Sequence, residues 1–327
     1  MGMKNILVTG AGGFIGFHLA NDLANMGHQV KGIDIHNPPV AEEEYNFSFT
    51  LGDFRDANLM KNLLQGVEVI FHLASAHLQI SLENKEYWDV NVHSIRPFLE
   101  LCQKSGVQKF VHTSSVGVYG KLRELPANEK NECFPRSIYG ETKLAGEAEV
   151  LKYFAESGFP IVIIRPAWVY GTGCPRTQKI YQTLKKKRFV QIGNMKNLRH
   201  PIYITDMVEA YRLAMENDDA VGELFVIGGE NAITTKELID TFSRVFDIPG
   251  PVLKIPHALG AAIAVFAELA FDLIKKEPPI SKRTLEFFDQ NTAFDISKAK
   301  KIMNFKPAVN FEQGLENCRS WLETNHN

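Results

Sequence analysis

Hydrophobic and polar positions follow two recurring patterns along this chain. Short apolar runs that end in small or polar residues are followed by longer stretches with apolar residues three or four apart. Lys4 to Thr9 (KNILVT) is the first run and reads as a strand buried on both faces, and Phe14 to Met26 reads as the helix after it. Gln29 to Ile35, Asn46 to Leu51, Val67 to Leu73 and Lys109 to Ser115 read as further strands. A long helix from about Glu86 to Lys104 precedes the last of them, and another runs from near Ser137 to about Glu156. Alternation of strands with helices of roughly ten or more residues predicts a parallel, doubly wound α/β sheet.

Past Gly171 the alternation loosens. Gln178 to Lys187 reads as a helix ending in Lys185-Lys186-Lys187-Arg188, a solvated helix end that complements the dipole, or else a phosphate site. Pro201 to Ile204 and Asp206 to Glu216 read as strand and helix returning to the sheet, and Leu224 to Ile227 as another short strand. Thr234 to Glu237 matches a capping box and opens a helix to about Phe246. His257 to Ile274 is apolar over about 15 residues, short of the ~20 needed to cross a bilayer, with Glu268 and Asp272 near one end. No transmembrane span is expected there. A buried helix covering a substrate pocket is the first reading, and an interfacial helix in peripheral contact with a membrane is the alternative. Phe311 to Thr324 closes the chain as an amphipathic helix.

Composition narrows the function classes. With 327 residues, 45% hydrophobic and 23% charged, the chain has the make-up of a soluble protein of about two domains. A formal net charge of -2 gives no electrostatic case for nucleic acid as a partner. Cys102, Cys133, Cys174 and Cys318 lie far apart and read as reduced thiols, with no zinc-ligand spacing and hence no metal expected. Met1 runs almost at once into a strand pattern, which predicts no secretory signal, and Ile6 stands where myristoylation needs Ser or Thr. A cytoplasmic location is the expectation.

Chemistry enters at Gly10-Ala-Gly-Gly13-Phe14-Ile15-Gly16, directly after the first strand. A glycine turn between strand and helix lets the backbone approach a pyrophosphate, which sits on the helix N-terminus. The second strand carries Asp34, about 20 residues past the turn, where a carboxylate accepts both ribose hydroxyls and repels a 2′-phosphate. NAD is therefore expected over NADP. Asp53 is placed to accept from an adenine amino group, or to cap a helix. His72 reads as a packed histidine, with a base as the alternative, and Leu73-Ala74-Ser75 are small enough for ligand to approach the backbone.

Tyr139 and Lys143 lie four apart on the helix that opens at Ser137, so their polar heads share one face. A free tyrosine titrates near ~10, and moving it to neutrality takes roughly 4 kcal/mol at ~1.36 kcal/mol per pH unit. A fixed lysine cation beside a cationic nicotinamide ring is a plausible source.

With TGAGGFIG (9–16), GDFRD (52–56), HLAS (72–75), Asn91-Val92, TSSVGVYG (113–120), YGETK (139–143) and RPAWVYG (165–171) in order, the chain resembles the extended short-chain dehydrogenase/reductase family, also called the NAD-dependent epimerase/dehydratase family. The match is thinner through 201–206, 294–299 and 305–307. The resemblance implies a Rossmann-like NAD-binding domain over residues 1–170, returning near 201–230, and a mainly substrate-binding domain over 171–327. It implies Tyr139 as catalytic acid/base, Lys143 as the residue holding the nicotinamide ribose and lowering the tyrosine pKa, and Ser115 as the orienting hydroxyl, with Ser114 the alternative. Phe54, Asn91, Thr113 and Pro166 join the implied cofactor shell, and Ser75, Ser114, Trp168 and Arg199 the implied substrate contacts. It also implies a homodimer through helices near 86–104 and 139–157.

Departures narrow the substrate. Sugar-nucleotide 4,6-dehydratases carry an Asp-Glu pair where Val116 and Gly117 stand, and related sugar-acid decarboxylases a Glu at Gly117, so both reactions are disfavoured. Many 4-epimerases have Asn at the position of Trp168. Arg199 matches a frequent phosphate-binding arginine, but the second, expected some ten residues before Asp295, is replaced by Leu285, with Lys282 and Arg283 nearby. The apolar 257–274 segment, with Glu277 to Ser281 and Phe294 to Ala299, looks more like the 3β-hydroxysteroid dehydrogenase and dihydroflavonol reductase branches. The leading expectation is thus NAD-dependent hydride transfer at a secondary alcohol or ketone of a largely apolar or mixed-polarity ring substrate. A nucleotide-sugar 4-epimerase with retained NAD is the alternative, and an idle dinucleotide sensor a distant third.

Overall fold

The computed structural model describes residues 2–77, 83–272 and 282–324. Strand β1 (Asn5–Thr9) buries Ile6, Leu7 and Val8 completely, as a strand covered on both faces must. Helix α1 (Phe14–Asn25) turns Leu19, Ala20 and Leu23 onto the sheet. Then come β2 (Gln29–Asp34), β3 (Ser48–Leu51), α2 (Ala57–Leu63) and β4 (Val69–His72). Asp56, not Asp53, caps α2, its side chain accepting from the Asn58 and Leu59 N–H groups.

The stretch read as one long helix is α3 (Asn84–Trp88), a π turn over Asp89–His93, and α4 (Ile95–Lys104). The wider turn carries Asn91, which is buried and committed to bonds off its own helix. β5 (Lys109–Thr113), α5 (Ile138–Ser157) and β6 (Ile161–Pro166) complete the first half. The second half begins with β7 (Trp168–Tyr170), α6 (Pro175–Lys185), β8 (Val190–Ile192), β9 (Leu198–Arg199) and β10 (Pro201–Tyr203). It continues through α7 (Ile204–Glu216), β11 (Leu224–Ile227), β12 (Ile233–Thr234), α8 (Thr235–Phe246) and β13 (Leu253–Ile255). Last are α9 (His257–Asp272), α10 (Lys282–Asp289), α11 (Ser297–Met303), α12 (Phe311–Asn317) and α13 (Arg319–Thr324). The closing helix is thus two helices, with Cys318 between them.

Seven strands form one parallel sheet in the order β3-β2-β1-β4-β5-β6-β11. Helices α1 and α7 cover one face and α2, α4 and α5 the other, so the fold is the doubly wound, Rossmann-like one. Chain direction across the sheet reverses between β1 and β4. There Gly10, at φ +77°, packs so closely on Leu73 and Ala74 that a Cβ would lie 2.7 Å from the Ala74 nitrogen. Ligands of open α/β sheets bind in the crevice beyond such a point.

Helix α9 has described side chains over residues 257–264, and these are of both kinds. Gly260 and Ala264 are buried, but Leu259 and Ile263 are exposed. Glu277 to Ser281 lie outside the described residues. Among the described residues no helix is long and apolar enough to cross a membrane, no side-chain group could hold a metal ion, and the four cysteines are free.

Candidate active site

The strand ends of β1, β4, β5 and β6 set Thr9, Leu73, Thr113, Ser114, Ser115 and Pro166 along one edge of the sheet. Across it runs the first turn of α5. Ser137 caps that helix, its hydroxyl accepting from the Gly140 N–H at 3.2 Å, and so fixes where Tyr139 enters the crevice. The Ser115 hydroxyl is hydrogen-bonded to the Tyr139 phenol and also accepts from the Gly117 N–H at 3.0 Å. A Cβ on Gly117 would sit 3.3 Å from Ser115 Oγ and 3.7 Å from the tyrosine ring, so this position borders the reacting oxygen directly. Ser114 is buried instead, its Oγ without a partner among the described atoms. Ser115 is therefore the hydroxyl that meets Tyr139.

Electrostatics at the phenol differ from expectation. The Tyr139 ring keeps some exposed surface, yet burial of its hydroxyl end pushes its pKa up to about 12, opposed by the Ser115 hydrogen bond and by Arg176. Arg176 is thus a cation that acts on the phenol from the second half of the chain. Lys143 is buried, its ammonium donates to the Thr113 carbonyl, and burial lowers its pKa to about 8 against the raising influence of Glu147. Glu147 is itself locked to Arg165 by two hydrogen bonds of 2.8 and 2.6 Å, a buried pair joining α5 to β6.

Behind Lys143 lie two neutral histidines. His72 donates or accepts one bond with Thr9 Oγ1 at 2.8 Å, and burial lowers its pKa to about 3. His112 stacks on it at 5.7 Å, likewise held neutral by burial. His72 is a packed residue, ringed by Phe54, Phe98 and Phe110.

The glycine turn fits a dinucleotide. A Cβ at Gly12 would lie 2.2 Å from the His36 carbonyl oxygen, and one at Gly16 would lie 2.1 Å from that of Gly10, so the loop lies as tight as a phosphate cradle requires. Gly13 precedes Phe14 and Ile15, the first residues of α1. Asp34 accepts from the Gly12 and His36 N–H groups at 3.0 Å each, which holds its carboxylate at the end of β2 with lone pairs remaining for a ribose. Other expected cofactor residues are occupied. Asp53 is gripped by Arg55 through Nε and Nη2, Phe54 is core, and Asn91 bonds Ala76 N–H, Ala76 C=O and Thr142 Oγ1. Asn91 thereby braces the segment carrying Ala74 and Ser75 against α5.

Farther along the crevice stand Trp168 and Arg199. Trp168 Nε1 and Arg199 Nε are buried without a partner among the described atoms. Arg199 lies over the Phe287 ring at 4.6 Å and donates to the carbonyls of Glu286 and Phe287. Burial and Arg176 lower its pKa to about 10. Arg176 stands 5.9 Å from the Trp168 ring and within electrostatic reach of both Arg199 and the phenol. Two guanidiniums that repel each other beside an idle indole N–H make a site suited to an anion.

The family model described as NAD dependent epimerase/dehydratase family matches residues 6–228. The chain belongs to that family. It is 31% identical over 341 residues, covering 98% of both chains, to an uncharacterized UDP-glucose epimerase of Bacillus subtilis strain 168. It is 26% identical, over 99% of both chains, to the decarboxylating sterol-4-alpha-carboxylate 3-dehydrogenase of Schizosaccharomyces pombe. Among solved structures, the UDP-glucuronic acid 4-epimerase of Bacillus cereus in complex with UDP-glucuronic acid and NAD is 27% identical, with TM-score 0.78 over 98% of this chain and 100% of that one. As a member of the epimerase/dehydratase family this protein is an NAD-dependent oxidoreductase or epimerase.

Sequence reasoning missed two residues that act on Tyr139. His77 meets the Tyr139 ring edge-on at 4.8 Å; its only signal was a place two residues past Ser75. Arg176 carried no signal, since it opens a helix of the second half and reaches the phenol only through the tertiary fold.

Proposed function

We propose that this protein is an NAD-dependent 4-epimerase of a sugar carried on a diphosphate. The observation that supports it is the Arg176–Arg199 pair beside Trp168, a short way along the crevice from Ser115 and Tyr139. The pair supplies the second guanidinium that appeared to be missing near Leu285. NAD, held by the residues named below, would supply the hydride acceptor and donor, the keto sugar presenting its other face for the return. Tyr139 takes the proton of the reacting hydroxyl and gives it back to the oxygen, while Ser115 hydrogen-bonds that oxygen as it becomes a ketone. Lys143 is assigned to the ribose of the cofactor, Gly10 to Gly16 to its pyrophosphate, and Asp34 to its adenosine ribose. Val116 and Gly117 have no proton to move, so the keto sugar is not dehydrated.

The UDP-glucose epimerase relative and the UDP-glucuronic acid 4-epimerase agree with this reading. Oxidation of an apolar ring alcohol is the second reading, favoured by the sterol dehydrogenase relative and the large apolar face of Trp168. The two separate in one assay. With UDP-linked hexoses or hexuronic acids, the protein is expected to interconvert C4 epimers with no net NADH. Arg176→Met and Arg199→Met should each lower kcat/KM by about 10- to 10²-fold, as loss of a charge-assisted hydrogen bond predicts. NADH accumulating in proportion to a sterol-type alcohol, with no epimer formed from any diphosphate sugar, would replace the first reading by the second.

A further inference from the structure

We propose that the β8–β13 edge and the first half of α9 form a docking face for an anionic lipid bilayer. Val252, Leu253, Leu259 and Ile263 are all exposed, at 67%, 55%, 50% and 36%. Leu259 and Ile263 lie one turn apart on α9, flanking Gly260, whose absent Cβ would meet Ile192 and Leu285 within 3.5 Å. Aliphatic residues thus cover the outer side of a helix whose inner side is packed down. His257 fixes its start by pairing with Asp289 at 2.5 Å.

Charge says what covers this face. β8 pairs with β13 in parallel, Val190 opposite Leu253, so the residues just before each strand lie at the same end of the pair. Before β8 run Lys185, Lys186, Lys187 and Arg188, all exposed; before β13 runs Val252, and Lys254 is exposed within the strand. None of these cations has a carboxylate partner among the described residues, whereas Lys236, Arg244, Lys298, Lys300 and Arg319 each do. Cations without a carboxylate partner, at the same end of the strand pair as exposed Val252 and Leu253, match a surface that offers phosphate and carboxylate headgroups above hydrocarbon. The helices expected at a homodimer interface, α3 to α5, are not part of this face.

The proposal does not depend on the substrate, so its test contains no turnover. The full chain is floated with vesicles of equal parts phosphatidylglycerol and phosphatidylcholine, and with vesicles of phosphatidylcholine alone. It is expected to rise with the anionic vesicles at low salt, to stay down with the neutral ones, and to be released by high salt. Lys186→Gln with Arg188→Gln should weaken binding about 25-fold, about fivefold for each charge. Val252→Ser with Leu259→Ser should weaken it at every salt concentration, and thermal melts check that each variant is folded. No flotation with either vesicle, or equal flotation with both, would overturn the proposal. So would vesicle-free self-association, seen by light scattering and abolished by Leu259→Glu, which would give the face to a second copy of the chain.

Discussion

At Tyr139 two influences oppose each other. Desolvation holds the phenol protonated, with a pKa of about 12, while Ser115 and Arg176 draw it down. A protonated phenol is ready to donate to a ketone, and abstraction of a proton waits on further positive charge in the crevice. Tyr139→Phe should therefore keep NAD binding and lose at least ~10²-fold in turnover, measured by stopped assay beside a fluorescence titration of the cofactor. Lys143 gives the pH dependence. Its folded-state pKa, about 8, lies below the ordinary 10.5, so the ammonium is lost as pH rises through about 8. If that ammonium holds the ribose, NAD affinity should weaken above pH 8, approaching about tenfold per pH unit, and Lys143→Met should be weak but flat across the same range. Tyr139 and Lys143 were readable because they stand four apart on one helix, while Ser115 was implied by the family resemblance carried by residues 113–120. Arg176 was not readable, because it is 37 residues further along the chain.

Elements hold these side chains through a few buried polar contacts. Arg165 on β6 and Glu147 on α5 are almost fully enclosed, and each depends on the other for compensation. Glu147→Ala should destabilise the fold by about 3–5 kcal/mol, seen as a lower urea midpoint, because it strands the guanidinium. Glu147→Leu with Arg165→Met should recover much of that loss. Strand and helix periodicity predicted β1, β2, α1, α5, α7 and β11 to within a residue or two, since their apolar stripes face a single core. It joined α3 and α4 into one helix. The π turn between them serves Asn91, whose bonds to Ala76 and Thr142 come from distant segments and leave no periodic trace.

On the scale of the whole molecule, the surface of α3 to α5 is where we propose a second copy. Trp88 and Leu151 are exposed there, at 37% and 43%. We expect a homodimer through this surface, which Leu151→Glu should convert to a monomer in size-exclusion chromatography with light scattering. The sequence by itself determined the strands and helices of the sheet, the glycine turn, the acidic end of β2 and the Tyr139–Lys143 spacing, because each is a pattern among near neighbours along the chain. Only the tertiary structure decided which charges surround the phenol and which side of α9 meets solvent. Those depend on how separate segments are brought together, and a Coulomb interaction or a buried face is set by distance in space, whatever the spacing in the chain.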